Sequence, residues 1–180
     1  MNQVDLRRIF APDTSAIYDT VDVYRSIVLH DYVPALRLSK DTIDAHWNPD
    51  EEARECMEWL GDENHYLYAL YDGGVMAGYT DYMLREDGEG ELTGLFVRPK
   101  HRNRGYGLML LGQAAAGLLA LGCQTICVYN WSKSYSNSFY RKLGGVVTEK
   151  TRGELYGSMQ EEDIFIFQLK GLLECPPSQS

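Results

Sequence analysis

A stretch of 28 residues, from Gly105 to Ser132, contains no aspartate, glutamate, lysine or arginine, although 24% of the whole chain is charged. Its first part, Gly107–Leu121, repeats apolar residues at helical spacing, and Thr125–Tyr129 has the composition of a short strand. Glycines and Gln113 interrupt the stretch, and the helical part is shorter than the ~20 residues that a membrane span needs. The pattern therefore predicts a buried helix followed by a buried strand.

The hydrophobic pattern of the remaining chain predicts further elements around this pair. Two helical segments precede the uncharged stretch, one that ends or kinks at Pro34 and one that runs from Asn48 to Gly61. A short helix is expected at Asn137–Leu143. The predicted strands are Val4–Ile9, His65–Tyr71, Val75–Leu84, Leu92–Val97 and a last pair after Gly145 that ends with Asp163–Leu169. We therefore expect one α+β domain over residues 1–170 and a flexible tail over 171–180.

Charge and cysteine content limit the partners and the compartment. The formal net charge of −9 argues against a nucleic-acid binder and suits a cationic partner such as an amine. The four cysteines lack CxxC spacing and the four histidines are scattered, so neither a disulfide framework nor a metal site is expected. The first 30 residues contain no apolar secretory segment. We expect a cytoplasmic protein that binds no metal, nucleic acid or membrane.

A basic turn separates the strand that ends at Val97 from the long uncharged helix. This turn carries Arg98, Lys100, His101, Arg102 and Arg104, directly before Gly105-Tyr106-Gly107. A solvated surface turn and a small nucleic-acid patch are the simplest interpretations, but no further basic run flanks it. A dinucleotide motif would need glycine at position 110, where this chain has Leu110. The Gly-Lys-Ser/Thr of a P-loop is also missing after the turn. Glycines and free N–H groups at a helix start indicate an anion site instead, with arginine charge for a pyrophosphate.

Three motifs follow one another in a defined order. Leu95–Pro99 has the form Leu-x-Val-x-Pro, Arg102–Gly107 has the form Arg-x-x-Gly-x-Gly, and Phe139–Gly145 begins Phe-Tyr-x-x-x-Gly. In this order and spacing the chain resembles the GNAT superfamily of N-acetyltransferases, from roughly Val4 to Leu169. The resemblance implies a mixed, mostly antiparallel central sheet flanked by helices, with a splayed strand at the acetyl-CoA site.

The resemblance also implies where acetyl-CoA, the co-substrate, would lie. The pyrophosphate would bind the amides of the basic loop, and the pantetheine arm would pair with the splayed strand. The residues implied are Leu95, Phe96, Val97, Arg102, Asn103, Arg104, Gly105, Tyr106, Gly107 and Leu108. A bulge at Gly94 would open the gap between the strands, although packing or twist explains a strand glycine equally well.

Acyl transfer to an amine needs a proton acceptor for the ammonium group and a proton donor for the leaving thiolate. By the resemblance, Glu91 is the candidate base, with Glu89 as the alternative, and Tyr140 is the candidate acid. The competing interpretations are a solvated acidic turn for Glu91 and a core aromatic residue for Tyr140. The oxyanion would need a backbone N–H donor, expected near Leu95.

The chain departs from the family pattern after the uncharged strand. Lys133 and Ser136 stand where many relatives have asparagine and alanine, which leaves the path of loop 130–137 open. Asp81, like Glu86 and Asp87 in the following turn, can attract a cationic amine, but we expect a surface position for each.

The expected function is transfer of an acetyl group from acetyl-CoA to a primary amine of a small molecule or peptide in a ternary complex. The alternative is a non-catalytic acyl-CoA-binding or regulatory module. The resemblance also allows a homodimer.

Overall fold

The computed structural model describes residues 3–174. Its seven strands form one sheet in the order β1-β2-β3-β4-β5-β7-β6, in which only the β4–β5 pair is parallel. The strands are β1 Val4–Ile9, β2 His65–Asp72, β3 Val75–Leu84, β4 Gly90–Val97, β5 Thr125–Trp131, β6 Val146–Leu155 and β7 Ser158–Gln168. The predicted mixed, mostly antiparallel α+β fold is confirmed.

Seven α-helices flank this sheet within residues 3–174. They are α1 Thr14–Ile27, α2 Val33–Leu36, α3 Lys40–His46, α4 Pro49–Trp59, α5 Tyr106–Ala120, α6 Asn137–Lys142 and α7 Leu169–Glu174. The uncharged stretch forms α5 and β5, as predicted. Leu110, Ala114 and Leu118 of α5 are fully buried, which accounts for the lack of charge.

The N-terminal helices continue further than the sequence indicates. A π-helical segment, Val28–Tyr32, follows α1, and Pro34 lies in the first turn of α2, where a missing N–H costs no hydrogen bond. Arg37, with φ 57°, ends α2. The short helix α3 was missed because Ile43 is its single buried residue, too few to produce a helical apolar pattern.

Strand β4 separates from β5 partway along its length. β4 pairs with β5 only from Gly90 to Leu92, although it continues to Val97. On its other side, β4 pairs with β3, where Leu92 lies opposite Tyr82 and Gly94 lies opposite Asp81. Thr93 is therefore the extra residue of a β-bulge, which was expected one position later, at Gly94. Strands β4 and β5 diverge at this bulge.

The chain ends its described part with α7, which packs Leu169 into the core beside α5. Residues 171–174, expected in the tail, are helical, and 175–180 lie outside the described residues. Over 3–174, no helix is long and apolar enough to cross a membrane. The same residues contain no cluster of three or more His, Cys, Asp or Glu side chains suited to a metal ion.

Candidate active site

The divergence of β4 from β5 opens a groove of about 870 Å³. Its walls come from β4 and the loop after it, the first turn of α5, the end of β5, helix α6, and the end of α1 with the π-helical segment that follows it. The predicted site residues that line it are Leu95, Phe96, Val97, Arg102, Asn103, Gly105, Tyr106, Gly107, Leu108 and Tyr140. The structure therefore brings ten of the twelve predicted residues to one groove, and Arg104 and Glu91 are the two that do not line it.

The first turn of α5 presents free backbone N–H groups to this groove. Gly105 caps the helix with φ 79°, and no side chain accepts a hydrogen bond from the helix start. The first amides of a helix have no carbonyl partner inside it, and the helix dipole makes this end positive. Gly105 and Gly107 have no side chain that could obstruct an approaching anion, so the loop fits a phosphate group.

The arginine side chains of the loop bind carboxylates of the protein. The Arg102 guanidinium donates to both carboxylate oxygens of Asp31 in the π-helical segment, and its Nε donates to the carbonyl of Val97 at 3.1 Å. Arg104 Nη1 lies 2.7 Å from Oδ2 of Asp72, which also contacts His101. These pairs hold the loop in place, whereas the sequence suggested that both arginines face phosphate directly.

The Arg102–Asp31 pair is partly shielded from solvent. Burial alone raises the pKa of Asp31, but hydrogen bonds from Arg102 and His30 outweigh it and hold the pKa below its usual value. Asp31 is thus ionised at neutral pH, and the pair can anchor the loop under physiological conditions.

A second cavity, of about 400 Å³, lies beside β4 and is bordered by α1, α4 and the turn between β6 and β7. Aromatic side chains supply much of its wall, including Tyr24, Trp59, Tyr79 and Tyr156. Three residues line both cavities: Tyr24, Thr93 and Phe96. The groove and this second cavity, called the acceptor cavity below, therefore meet at the bulge of β4.

Asp81 of β3 lies in the wall of the acceptor cavity, where the sequence suggested a surface position. Thr93 Oγ1 donates to Asp81 Oδ2 at 3.0 Å. Burial raises the pKa of Asp81 to about 6, although the Thr93 hydrogen bond opposes the rise. The available signal was its place inside the apolar strand Val75–Leu84, since a carboxylate there is difficult to solvate.

Tyr140 of α6 lines the groove and is only 5% exposed. Its ring packs against Phe139, Phe165 and Phe167. Burial, with a smaller contribution from the charge of Asp81, raises the pKa of Tyr140 well above its usual value. Its hydroxyl therefore keeps its proton at neutral pH.

The two glutamates expected near the chemistry lie elsewhere. Glu91 lines neither cavity, and its Oε2 lies 3.7 Å from Nη1 of Arg85. Burial raises the pKa of Glu91 above its usual value, although the charge of Arg85 opposes the rise. Glu89 is exposed in the turn before β4. The structure thus does not bring Glu91 or Glu89 together with Tyr140.

Loop 130–137 is held by a network of polar side chains. Asn130 Nδ2 donates to Ser136 Oγ at 3.0 Å and to Oδ1 of Asn137. Asn137 Nδ2 in turn donates to the carbonyls of Trp131 and Ser132. Asn130 and Ser136 line the groove, while Lys133 is exposed outside it. Asn130 and Ser136 thus form part of the groove wall, and Asn137 holds the backbone of the loop.

Comparison with known proteins agrees with this geometry. Residues 28–145 match the model of the acetyltransferase (GNAT) family. No curated protein matches the chain. Among solved structures, the PaiA N-acetyltransferase from Thermoplasma acidophilum in complex with coenzyme A superimposes with a TM-score of 0.70 at 17% identity, covering 92% of this chain and 99% of that one.

Two further solved structures share the fold. YncA from Salmonella typhimurium, with its cofactor acetyl-CoA, has a TM-score of 0.62 at 19% identity and 98% coverage of both chains. A mutant form of the spermidine N-acetyltransferase SpeG from Vibrio cholerae has a TM-score of 0.66 at 16% identity, covering 96% of this chain and 97% of that one. The groove at the splayed strand, the glycine loop at the start of α5 and the family match together make this chain a member of the GNAT family of acetyltransferases.

Proposed function

We propose that this protein transfers an acetyl group from acetyl-CoA to a primary amine of a small molecule or peptide, directly within a ternary complex. The observation that carries the proposal is the meeting of two cavities at the bulge of β4. One offers free helix amides and the other is lined by carboxylates. An acyl donor and a cationic acceptor can therefore approach the same point from two sides.

The groove suits acetyl-CoA in three respects. The N–H groups at the start of α5 would hold the pyrophosphate. The backbone of Leu95 to Val97, which has no β5 partner, would pair with the pantetheine amides. Tyr140 lies in the groove wall, where its hydroxyl would give a proton to the departing sulfur. The structures of PaiA with coenzyme A and YncA with acetyl-CoA support this assignment.

The acceptor cavity suits a cation. Its acidic lining residues are Glu52, Glu55, Asp81 and Glu154, and no described lysine or arginine lines it. Aromatic rings between the carboxylates would bind the apolar body of an amine and its charge through cation–π contact. That the SpeG relative is a spermidine N-acetyltransferase favours a small amine with more than one positive charge.

A matched set of four-carbon amines tests this function. With acetyl-CoA, we expect 1,4-diaminobutane to react faster than n-butylamine, and n-butylamine about tenfold faster than 4-aminobutanoate, because the lining repels a carboxylate. Release of free thiol gives kcat/KM for each. The opposite order would contradict a cation-selective cavity. Thermal stabilisation by CoA without thiol release from any amine would favour the alternative, a non-catalytic acyl-CoA-binding module.

The loop anchor gives a second test of the donor site. Both Arg102→Ala and Asp31→Asn should raise the Kd for CoA about tenfold, or about 1.4 kcal/mol, because an unanchored loop must be ordered on binding. Isothermal titration measures both Kd values. The double variant should raise the Kd for CoA little more than either single variant does. A weaker affinity for CoA in Arg102→Ala, with unchanged affinity in Asp31→Asn, would instead show that Arg102 binds phosphate itself.

A further inference from the structure

Two buried side-chain polar atoms lack a hydrogen-bond partner within residues 3–174, Nδ1 of His65 and Oδ1 of Asp81. Both residues line the acceptor cavity. The nearest carboxylate to His65 Nδ1 is that of Asp62 at 3.9 Å, which is too far for a hydrogen bond. Because buried polar atoms in proteins are nearly always paired, two unpaired ones in a single cavity point to a ligand.

The backbone of β4 is adapted to the Asp81 carboxylate. Asp81 pairs with Gly94 across the sheet, and a Cβ at position 94 would overlap its Oδ1. Thr93, the bulge residue, donates to Oδ2. One oxygen is thus held by a residue that borders both cavities, and the other, Oδ1, is buried beside Gly94 without a hydrogen-bond partner. This arrangement positions a hydrogen-bond acceptor where the acceptor cavity meets the groove.

We infer that Asp81 binds the ammonium group of the acceptor amine through Oδ1 and takes one of its protons. This inference rests on the proposed N-acetyltransferase function. The proton passes from the ammonium nitrogen to the Asp81 carboxylate, and the freed electron pair attacks the thioester carbon. A C–N bond forms and the C–S bond breaks, with its electron pair on sulfur. Tyr140 gives its proton to the thiolate, the second proton lost by nitrogen restores the Tyr140 hydroxyl, and the proton on Asp81 is released to solvent.

The surroundings of Asp81 keep its carboxylate basic. Tyr24 of α1, Cys56 of α4, Tyr79 of β3 and Tyr140 of α6 face its charge, and burial raises the pKa of each. All four are therefore neutral at pH 7. The other titratable groups of the cavity are Glu52, Glu55, His65, Tyr66, Glu154 and Tyr156. With no cation among the described residues of the lining, desolvation dominates, which agrees with a pKa of about 6 for Asp81.

Asp81→Asn tests the role with little change of shape. In assays with 1,4-diaminobutane, n-butylamine, spermidine and a lysine-containing peptide, we expect kcat/KM at pH 7 to fall about 100-fold for whichever amine reacts best. The acidic limb of the wild-type profile, near pH 6, should disappear, and the Kd for CoA should stay unchanged. Glu91→Gln, at the base that the resemblance implies, is the discriminating comparison, and the acidic limb should remain in this variant. An unchanged limb in Asp81→Asn would overturn the inference, and loss of the limb in Glu91→Gln would assign the base to Glu91.

Thr93 is a positioning residue, and its variants give an independent readout. Its hydrogen bond lowers the pKa of Asp81, so Thr93→Val should move the acidic limb to higher pH, and Thr93→Ser should restore it. A merely structural role of the hydroxyl would lower activity without moving the limb. Identical limbs in wild type and Thr93→Val would contradict the inference.

Titration of the wild-type protein separates failure of this inference from failure of the proposed function. In ¹³C NMR of aspartate-labelled protein, the signal absent from Asp81→Asn should titrate near pH 6 and shift when n-butylammonium is added. A normal aspartate titration with no response to the amine would overturn the Asp81 role even if acetylation is observed. Absence of turnover with every amine would reject the proposed function, whereas this titration still decides whether Asp81 binds an ammonium group.

Discussion

Replacing Tyr140 with phenylalanine is expected to lower kcat about 10³-fold while the Kd for CoA changes less than about twofold. The hydroxyl is the only group removed, and the ring keeps its packing against Phe165 and Phe167. Without it, the thiolate must leave unprotonated or take a proton from water that the buried site excludes. Steady-state kinetics with acetyl-CoA and the best amine of the panel, together with CoA titration, measure both quantities.

Tyr135→Phe is the matched control for this experiment. Tyr135 also lines the groove but is 62% exposed, so its hydroxyl is solvated and its removal should change kcat less than about threefold. Equal rates for Tyr140→Phe and wild type would remove Tyr140 from the mechanism. A large rise in the Kd for CoA would show that the hydroxyl serves binding rather than proton transfer.

Gly94→Ala should reduce kcat/KM by about 100-fold or more and also lower the melting temperature. The added Cβ would overlap Asp81 Oδ1 and would lie 2.6 Å from Cε2 of Phe96. Phe96 lines both cavities, so relief of either overlap moves the wall that the two substrates share. Displacement of reacting groups by about 1 Å can cost 10²-fold in rate. Thiol-release kinetics and thermal unfolding report the two effects.

Gly112→Ala provides the corresponding control on α5. A Cβ at position 112 meets nothing within 4 Å, and alanine favours a helix interior over glycine by about 0.5–1 kcal/mol. We expect unchanged kinetics and a slightly higher melting temperature. Normal kinetics in Gly94→Ala would show that the close approach of Asp81 to β4 is dispensable.

The parts of this protein that follow from sequence are those fixed by local chemistry. The apolar and aromatic runs of β2 and β3 and the turn at Gly73-Gly74 predict the hairpin, because both depend on neighbouring residues. The helix start at Gly105 is equally local, since glycines before an uncharged amphipathic run indicate a cap and free amides. The resemblance of three short motifs to the GNAT superfamily was enough to name most of the predicted residues that line the groove.

The parts that were missed depend on contacts between distant residues. Arg102 and Asp31 are 71 positions apart, and no local pattern shows that the arginine is already paired. Asp81 resembles any charged strand residue until the bulge of β4 and helices α1 and α4 enclose it. Glu91 occupies a plausible sequence position, but its carboxylate lies near Arg85 and lines neither cavity. Tertiary burial, not residue type, decides which carboxylate can act as a base.

The bulge at Thr93 also has a consequence for redesign of the protein. Helix α4 contributes lining residues only to the smaller cavity, and the loop of residues 102–108 contributes only to the larger one. Substitutions in these two segments share no lining partner, so their effects should add. Substitutions in α4, for example at Glu52 and Glu55, should therefore change which amine is preferred without changing the loop that binds the donor.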